Sequence, residues 1–289
     1  MAEVRSIGVV GLGAMGAGIA QVAIEAGYDV VGREVSADLC DVAAARIEHF
    51  LGRKVEKGQL EAADRDAAVG RLRTTTALDD LAGCDLVIEA IVEELAAKQE
   101  LFAALEDVCG PDTVLASNTS ALSVTEIAAA THAPERVIGM HFFNPAPLMP
   151  LVEIVRAELS SDEAFETGFT VAERMGKAPV RCHDTPGFVV NRILIPLLND
   201  CIRVLDEARV SPEDLDTAMT KGAGWPMGPC TLVDLVGIDV HVHASEALYE
   251  KLREPRMAAP PRLVAMRNAG LLGRKSGRGF YRYGDAPGA

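Results

Sequence analysis

Length, composition and charge narrow the classes of protein to which this chain can belong. It has 289 residues, of which 49% are hydrophobic and 24% charged, as in ordinary globular proteins and unlike fibrous or disordered chains. A formal net charge of −14 repels nucleic-acid phosphates, so we expect no nucleic-acid partner. No apolar run approaches the ~20 residues that cross a bilayer, and the N-terminus lacks the basic region of a secretory signal. We therefore expect neither membrane insertion nor a signal peptide.

Six cysteines are scattered along the chain, and no two of them are spaced as in a CxxC motif. They are Cys40, Cys84, Cys109, Cys182, Cys201 and Cys230. This arrangement predicts reduced thiols and a cytoplasmic location, and it predicts no metal site.

Short β-branched runs alternate with helical patterns through the N-terminal part of the chain. This alternation predicts βαβ units, and therefore an α/β fold with a Rossmann-type, mostly parallel sheet covered by helices on both faces. The strand candidates are residues 6–10, 29–33, 86–90, 113–116, 137–140, 151–155 and 179–181.

Two segments depart from the alternation. Residues 39–72 are typical of a long helical insertion after the second strand, with a break at Lys57-Gly58. From Asp184 onward, helical runs separated by Gly and Pro dominate, and Asp184-Thr185-Pro186 is typical of a helix start. The sequence therefore predicts a first domain over residues 1–184 and an all-α C-terminal domain over residues 185–289.

A glycine motif follows the first predicted strand. Gly11, Gly13 and Gly16 fit GxGxxG, directly before a helical pattern. Glu34 ends the second predicted strand, at the ~20-residue spacing expected for an acid that binds an adenosine ribose. In such motifs the first glycine allows a tight turn, the second admits a pyrophosphate and the third lets helix and strand pack closely. The motif predicts a dinucleotide site, against the alternative of an ordinary glycine-rich turn.

Polar residues follow two later strands, and an acid interrupts another. Ser120 ends a Ser-Asn-Thr-Ser run, His141 begins a His-Phe-Phe-Asn-Pro run, and Glu153 lies in an otherwise apolar strand. A buried carboxylate needs a partner, and a histidine held by an acid is a common general base. Spacing alone leaves open whether His141 pairs with Glu153 or is a structural histidine. Asn191, a polar residue in an apolar helical run, fits an internal hydrogen bond as well as a ligand contact.

Taken together, the motifs resemble those of the L-3-hydroxyacyl-CoA dehydrogenases, and among them the bacterial 3-hydroxybutyryl-CoA dehydrogenases. The resemblance extends over nearly the whole chain, from Val4 to Tyr283. The segments that carry it are residues 11–16, 89–93, 117–120, 141–145, 184–192, 222–229 and 273–281.

This resemblance implies reversible hydride transfer between NAD and C3 of a short-chain L-3-hydroxyacyl-CoA, in fatty acid metabolism. It implies that His141 is the general base for the 3-hydroxyl proton and that Glu153 orients it. It further implies that Ser120 hydrogen-bonds the substrate oxygen and that Asn191 helps to hold the substrate. The implied NAD-binding residues are Gly11, Gly13, Gly16, Glu34, Glu93, Lys98, Asn144 and Lys275.

The acyl-CoA substrate is a large anion, so local cations should mark its site on this acidic chain. Arg53, Lys54 and Lys57 cluster at the end of the insertion helix, near which the family binds CoA; the alternative is a solvated helix end. Phe50 stands where some relatives carry a CoA-contacting Ser, so that role is not transferred. Glu34 stands where Asp is usual, and Arg33 beside it leaves NADP open.

Two other functions remain open on the sequence alone. A sugar-acid dehydrogenase of the L-gulonate type shares the fold and motifs but needs no CoA site. A non-catalytic, crystallin-like NAD-binding protein is the other, although the intact set of candidate catalytic residues weighs against it. The apolar helices after Pro186, with the resemblance, imply a homodimer formed through the C-terminal domain.

Overall fold

The structure, a computed structural model, describes residues 3–284. The chain divides into two compact units between Phe188 and Val189, a few residues beyond the domain boundary that the sequence predicts at 184/185. Among the described residues, no helix is both long and apolar enough to cross a membrane.

One eight-stranded sheet forms the centre of the first unit. Its strands are β1 (Ser6–Val10), β2 (Asp29–Arg33), β3 (Leu72–Thr75), β4 (Leu86–Glu89), β5 (Val114–Ser117), β6 (Val137–Phe142), β7 (Leu151–Arg156) and β8 (Ala178–His183). Their order is β3-β2-β1-β4-β5-β6-β7-β8. All neighbours are parallel except β6 and β7, which pair antiparallel. The predicted Rossmann-type, mostly parallel sheet is confirmed.

Helices cover both faces of this sheet. They are α1 (Ala14–Glu25), α2 (Ala37–Glu56), α3 (Ala62–Val69), α4 (Leu95–Val108), α5 (Val124–Ala128) and α6 (Asp162–Arg174). Because successive strand residues face opposite sides, Leu86 and Ile88 pack into one core with α1, α2 and α6, whereas Val87 packs into another with α4 and α5. Burial on both faces explains why the central strands are continuous apolar runs.

The edge strand β3 was missed by the sequence prediction, which continued the helical insertion to Leu72. The insertion is helical only in α2 and α3, and the predicted break is confirmed where α2 ends at Glu56 and Gly58 adopts a φ of 67°. β3 has four residues, none of them fully buried. Such a short, polar segment carries no apolar run, and only pairing with β2 makes it a strand.

The predicted helix start at Asp184-Thr185-Pro186 is wrong. The next helix, α7, begins at Val190. Gly187 and Phe188 have positive φ values of 78° and 49°, a left-handed backbone that a helix cannot contain. The Asp184 carboxylate instead accepts hydrogen bonds from the Ser123 hydroxyl and the Thr125 amide, at 2.6 and 2.8 Å.

The second unit is helical. Its helices are α7 (Val190–Glu207), α8 (Pro212–Thr217), α9 (Pro229–Val236), α10 (Ile238–Leu252) and α11 (Pro261–Asn268). They enclose a separate apolar core that includes Ile202, Val233 and Val242. Close to the C-terminal end of the described residues, Arg278 forms isolated bridges with Gly273 and Arg282.

Candidate active site

The glycine motif forms a turn between β1 and α1 whose backbone depends on glycine at positions 11 and 16. Gly11 has a φ of 85°, and a Cβ on Gly16 would lie 1.7 Å from the Gly11 carbonyl oxygen. By contrast, a Cβ on Gly13 would meet nothing within 4 Å. The open space beside Gly13 lies at the N-terminus of α1, where free backbone N–H groups bind phosphates. The turn therefore fits the pyrophosphate of a dinucleotide.

The Glu34 carboxylate lies next to this turn, at the end of β2. Its Oε1 accepts a hydrogen bond from the Leu12 amide at 2.8 Å, and its Oε2 accepts one from the Val35 amide at 2.9 Å. Each carboxylate oxygen has further acceptor capacity, so both remain able to accept from ribose hydroxyls. The structure thus brings Glu34 and the glycine turn together, as the sequence predicts.

His141 and Glu153 pair across the antiparallel strands β6 and β7. The two residues lie opposite each other in the strand register, and His141 Nδ1 is 2.7 Å from Glu153 Oε2. Glu153 is fully buried and His141 nearly so. An ionised carboxylate only accepts hydrogen bonds, so a Glu153 carboxylate requires the ring proton to be on Nδ1. Nε2 is then the imidazole nitrogen that can accept a proton from a substrate.

Two aromatic rings flank the imidazole. The ring centroid of His141 is 4.5 Å from that of Phe143 and 5.7 Å from that of Phe188. These rings restrict the orientation of the imidazole plane. The contact with Glu153 keeps Nδ1 directed towards the carboxylate.

Ser120 lies at the carboxyl end of β5, two positions along the sheet from β1. Its amide and hydroxyl both face Glu93 Oε1, at 2.8 and 3.3 Å. Lys98, predicted as a cofactor residue, has a side chain that is 1% exposed and lies between Glu89 and Glu93. The structure therefore assembles Ser120, Glu93 and Lys98 into one cluster, with Glu89 as a fourth member.

A basic cavity of about 370 Å³ lies between α1, α2 and the loop after β6. Arg53, Lys54 and Lys57 line it, as does Arg46, which the sequence analysis missed. Lys54 Nζ is 2.5 Å from a Glu25 oxygen, so its charge is partly compensated. Phe50 also lines the cavity, with half of its surface exposed.

The loop that forms the other wall of this cavity is held by a lysine that sequence reasoning missed. Lys177 Nζ donates to the carbonyl oxygens of Ala146 and Met149, at 2.6 and 3.0 Å. Pro147 and Leu148 of this loop line the cavity. No sequence signal identifies Lys177, because its role depends on backbone carbonyls that only the fold brings within reach.

The remaining predicted site residues are Asn144, Asn191 and Lys275. Asn144 is exposed at the start of the same loop. Asn191 and Lys275 belong to the second unit, where Asn191 lies in the first turn of α7. Lys275 Nζ is 2.6 Å from the Asp239 carboxylate. Within residues 3–284, no cluster of three or more His, Cys, Asp or Glu side chains is arranged to hold a metal ion.

Two family models together match almost the whole chain. Residues 6–185 match the NAD-binding domain of 3-hydroxyacyl-CoA dehydrogenase, and residues 187–283 match its C-terminal domain. This chain belongs to the 3-hydroxyacyl-CoA dehydrogenase family. Its first unit is therefore an NAD-binding domain, in agreement with the glycine turn and Glu34.

Individual relatives agree with this assignment. The chain is 46% identical to a probable 3-hydroxybutyryl-CoA dehydrogenase of Deinococcus radiodurans, over 96% of this chain and 99% of that protein. Among solved structures, it is similar to FadB2 of M. tuberculosis, with 45% identity, a TM-score of 0.93, and 97% and 99% of the two chains covered. It is also similar to (S)-3-hydroxybutyryl-CoA dehydrogenase PaaH1 of Ralstonia eutropha, with 38% identity, a TM-score of 0.95, and 98% and 100% covered.

Proposed function

We propose that this chain is an NAD-dependent dehydrogenase that interconverts L-3-hydroxybutyryl-CoA and acetoacetyl-CoA. The observation that carries the proposal is the buried pair of His141 and Glu153, with 2.7 Å between Nδ1 and Oε2. Relatives that match nearly the whole chain carry the name 3-hydroxybutyryl-CoA dehydrogenase, which supports the same substrate.

In the oxidation direction, His141 Nε2 takes the proton of the substrate 3-hydroxyl, and in reduction it returns that proton. Imidazole is suited to both because it titrates near neutral pH. Glu153 keeps the proton of the neutral ring on Nδ1 and stabilises the imidazolium by its charge. NAD, when bound, would accept the hydride that leaves C3 of the substrate, and NADH would return a hydride to C3 in the reverse direction. Ser120 holds the substrate oxygen, and Asn191 remains a prediction for the same task.

For the cofactor, we propose that Gly11, Gly13 and Gly16 hold the pyrophosphate and that Glu34 binds the adenosine ribose. The glycine turn offers the necessary space, and Glu34 adjoins it through the Leu12 amide. Asn144 and Lys275 remain sequence-based predictions for cofactor contact.

For the CoA group, we propose the basic cavity lined by Arg53, Lys54 and Lys57. Its cations can bind phosphates, and Phe50 with Pro147 offers apolar surface. This cavity supports an acyl-CoA substrate over a sugar acid, because a small sugar acid has no distant phosphates for these cations to bind.

We further propose a cytoplasmic homodimer that acts in fatty acid metabolism. All six cysteines are free thiols, as in reducing compartments. In the second unit, apolar side chains such as Ile193, Leu235 and Val240 are about half exposed or more, and a partner copy would cover such surface. Sedimentation analysis should show a dimer that Ile193→Asp weakens; a monomeric wild type would contradict this proposal.

The deciding experiment compares substrates. The rate of NADH oxidation is measured with acetoacetyl-CoA and with free acetoacetate. The rate of NAD reduction is measured with L-gulonate. We expect turnover of acetoacetyl-CoA with at least ~10³-fold higher kcat/KM than free acetoacetate, because binding energy of the CoA group is used at the reacting centre. Equal activity with free acetoacetate, or preference for L-gulonate, would contradict the proposal.

A further inference from the structure

We propose that Glu93 is a positioning residue for Ser120, and that the buried pair of Glu89 and Lys98 holds Glu93 in place. The inference rests on the proposed function only in assuming that Ser120 contacts the substrate. It gives Lys98 an action through Glu93 in addition to the cofactor contact that the sequence resemblance implies.

Glu93 Oε1 accepts hydrogen bonds from three consecutive residues. It accepts hydrogen bonds from the Thr119 hydroxyl at 2.7 Å, the Ser120 amide at 2.8 Å and the Ala121 amide at 3.1 Å. Burial would raise the pKa of Glu93, but the charge of Lys98 and these hydrogen bonds outweigh it and lower the pKa. The residue is therefore a carboxylate at neutral pH, and it fixes the backbone that carries Ser120.

Lys98 lies behind Glu93 and is 1% exposed. Its ammonium is 3.3 Å from Glu93 Oε2 and 2.5 Å from Glu89 Oε1. Glu89 is itself fully buried and accepts hydrogen bonds from the Ile91 amide and the Ser117 hydroxyl, each at 2.7 Å. A buried cation between two carboxylates is well compensated, and its position is set by Glu89 at the end of β4. Lys98 thereby aligns the second oxygen of Glu93 while the first oxygen holds the Ser120 segment.

The hydroxyl of Ser120 remains able to bind a substrate. Its distance to Glu93 Oε1 is 3.3 Å, longer than a strong hydroxyl–carboxylate bond and longer than the bonds from the Ser120 and Ala121 amides, at 2.8 and 3.1 Å. Glu93 therefore fixes where the Ser120 oxygen lies, and the hydroxyl hydrogen can turn towards a substrate oxygen. Misplacement of a substrate-binding group by about 1 Å can cost ~10²-fold in rate, so this support matters to catalysis.

The test compares Glu93→Ala, Glu93→Gln, Ser120→Ala and the double variant Glu93→Ala/Ser120→Ala, with Glu94→Gln as a matched control that removes a neighbouring charge outside the cluster. Glu93→Ala should lower kcat by roughly 10- to 100-fold. Glu93→Gln should retain part of the rate, because its amide oxygen can still accept from the Ser120 and Ala121 amides. The double variant should be within about threefold of Ser120→Ala, because the effect of Glu93 passes through Ser120. Losses that multiply, or equal rates for the Ala and Gln variants, would overturn the inference.

Two measurements do not depend on turnover. Hydrogen exchange at the amides of Ser120 and Ala121 should be at least about tenfold faster in Glu93→Ala than in wild type, since these amides lose their acceptor; unchanged exchange would overturn the inference. The same exchange should also be faster in Lys98→Met than in wild type, since Glu93 Oε2 loses the ammonium that aligns it. Unchanged exchange in a folded Lys98→Met variant would overturn the role of the pair of Glu89 and Lys98.

Lys98→Met leaves the buried Glu89 without its counter-charge and can unfold the protein. The variant Glu89→Gln/Lys98→Met removes both charges and is measured beside it, and the Glu93 variants decide the inference even if neither folds. If wild type turns over no acetoacetyl-CoA, the proposed function fails, and hydrogen exchange in Glu93→Ala still decides the positioning role.

Discussion

His141 and Glu153 are directly opposite each other in the one antiparallel pair of the sheet, with 2.7 Å between Nδ1 and Oε2. All other neighbouring strands are parallel. Because β7 runs opposite to β6, the start of β7, with Glu153, lies beside the carboxyl end of β6, with His141. Both side chains are therefore held by strands of the sheet and not by loops.

Replacement of His141 should remove the general base. We expect His141→Ala to lower kcat by roughly 10²–10⁴, with the Kd of NADH nearly unchanged. Glu153→Gln should also lower kcat, because it removes the charge that stabilises the imidazolium. Exposed Glu158 on the following turn provides the control Glu158→Gln. Near wild-type kcat in His141→Ala would contradict the assignment.

Removal of the cavity cations should affect one substrate only. We expect Arg53→Ala/Lys54→Ala/Lys57→Ala to raise the KM for acetoacetyl-CoA and to weaken its dependence on ionic strength, because CoA phosphates lose their counter-charges. The KM for NADH should hardly change. Arg65→Ala, on α3 and outside the cavity lining, is the control. Equal effects on both ligands would place the CoA site elsewhere.

Glu34 should make the enzyme prefer NADH to NADPH. A 2′-phosphate beside its half-buried carboxylate would meet a like charge, so we expect at least about tenfold higher kcat/KM with NADH, or ~1.4 kcal/mol. Arg33 precedes Glu34, and its buried Nε lacks a hydrogen-bond partner in the described chain. Glu34→Ala should therefore raise kcat/KM with NADPH and reduce the preference for NADH. Arg33→Ala/Glu34→Ala should not show this rise in kcat/KM with NADPH. A wild type that prefers NADPH would show that Arg33 governs the pocket.

Acid should destabilise the second unit through His241. Its Nε2 donates to Asn199 Oδ1 at 2.9 Å, and burial lowers its pKa from 6.5 to about 4. The unfolded chain thus binds a proton at His241 more readily than the folded chain. The contribution of neutral His241 to the unfolding free energy is therefore complete above about pH 6.5 and is lost as the pH falls towards 4. The loss should reach about 3 kcal/mol, at 1.36 kcal/mol per pKa unit.

Urea unfolding at several pH values measures this effect. His241→Gln, which retains a donor for Asn199, should flatten the pH dependence of the unfolding free energy between pH 6.5 and 4. His243→Gln, two residues along the same helix, is the matched control. An unchanged slope in His241→Gln would assign the acid sensitivity to other groups.

The sequence by itself determined the central sheet and the glycine turn. Strands such as β1 and β4 are apolar on both faces, and the pattern of a fully buried strand is visible without a partner. A Cβ on Gly16 would collide with the Gly11 carbonyl oxygen, and a Cβ on Gly11 would lie 2.8 Å from the Ala90 carbonyl oxygen, so both glycines are required by the backbone around them. Matching motifs also identified the family before the structure showed the geometry.

Only the tertiary structure decided how the polar residues combine. The spacing of His141 and Glu153 does not reveal that β6 and β7 are antiparallel in that register. Likewise, the sequence does not reveal that the fold buries Lys98 between two carboxylates. The strand β3 and the delayed start of α7 were missed for the same reason. Pairing with a neighbouring strand, burial of a charge and left-handed backbone at Phe188 depend on residues distant in the chain, whereas apolar periodicity and glycine turns are local properties.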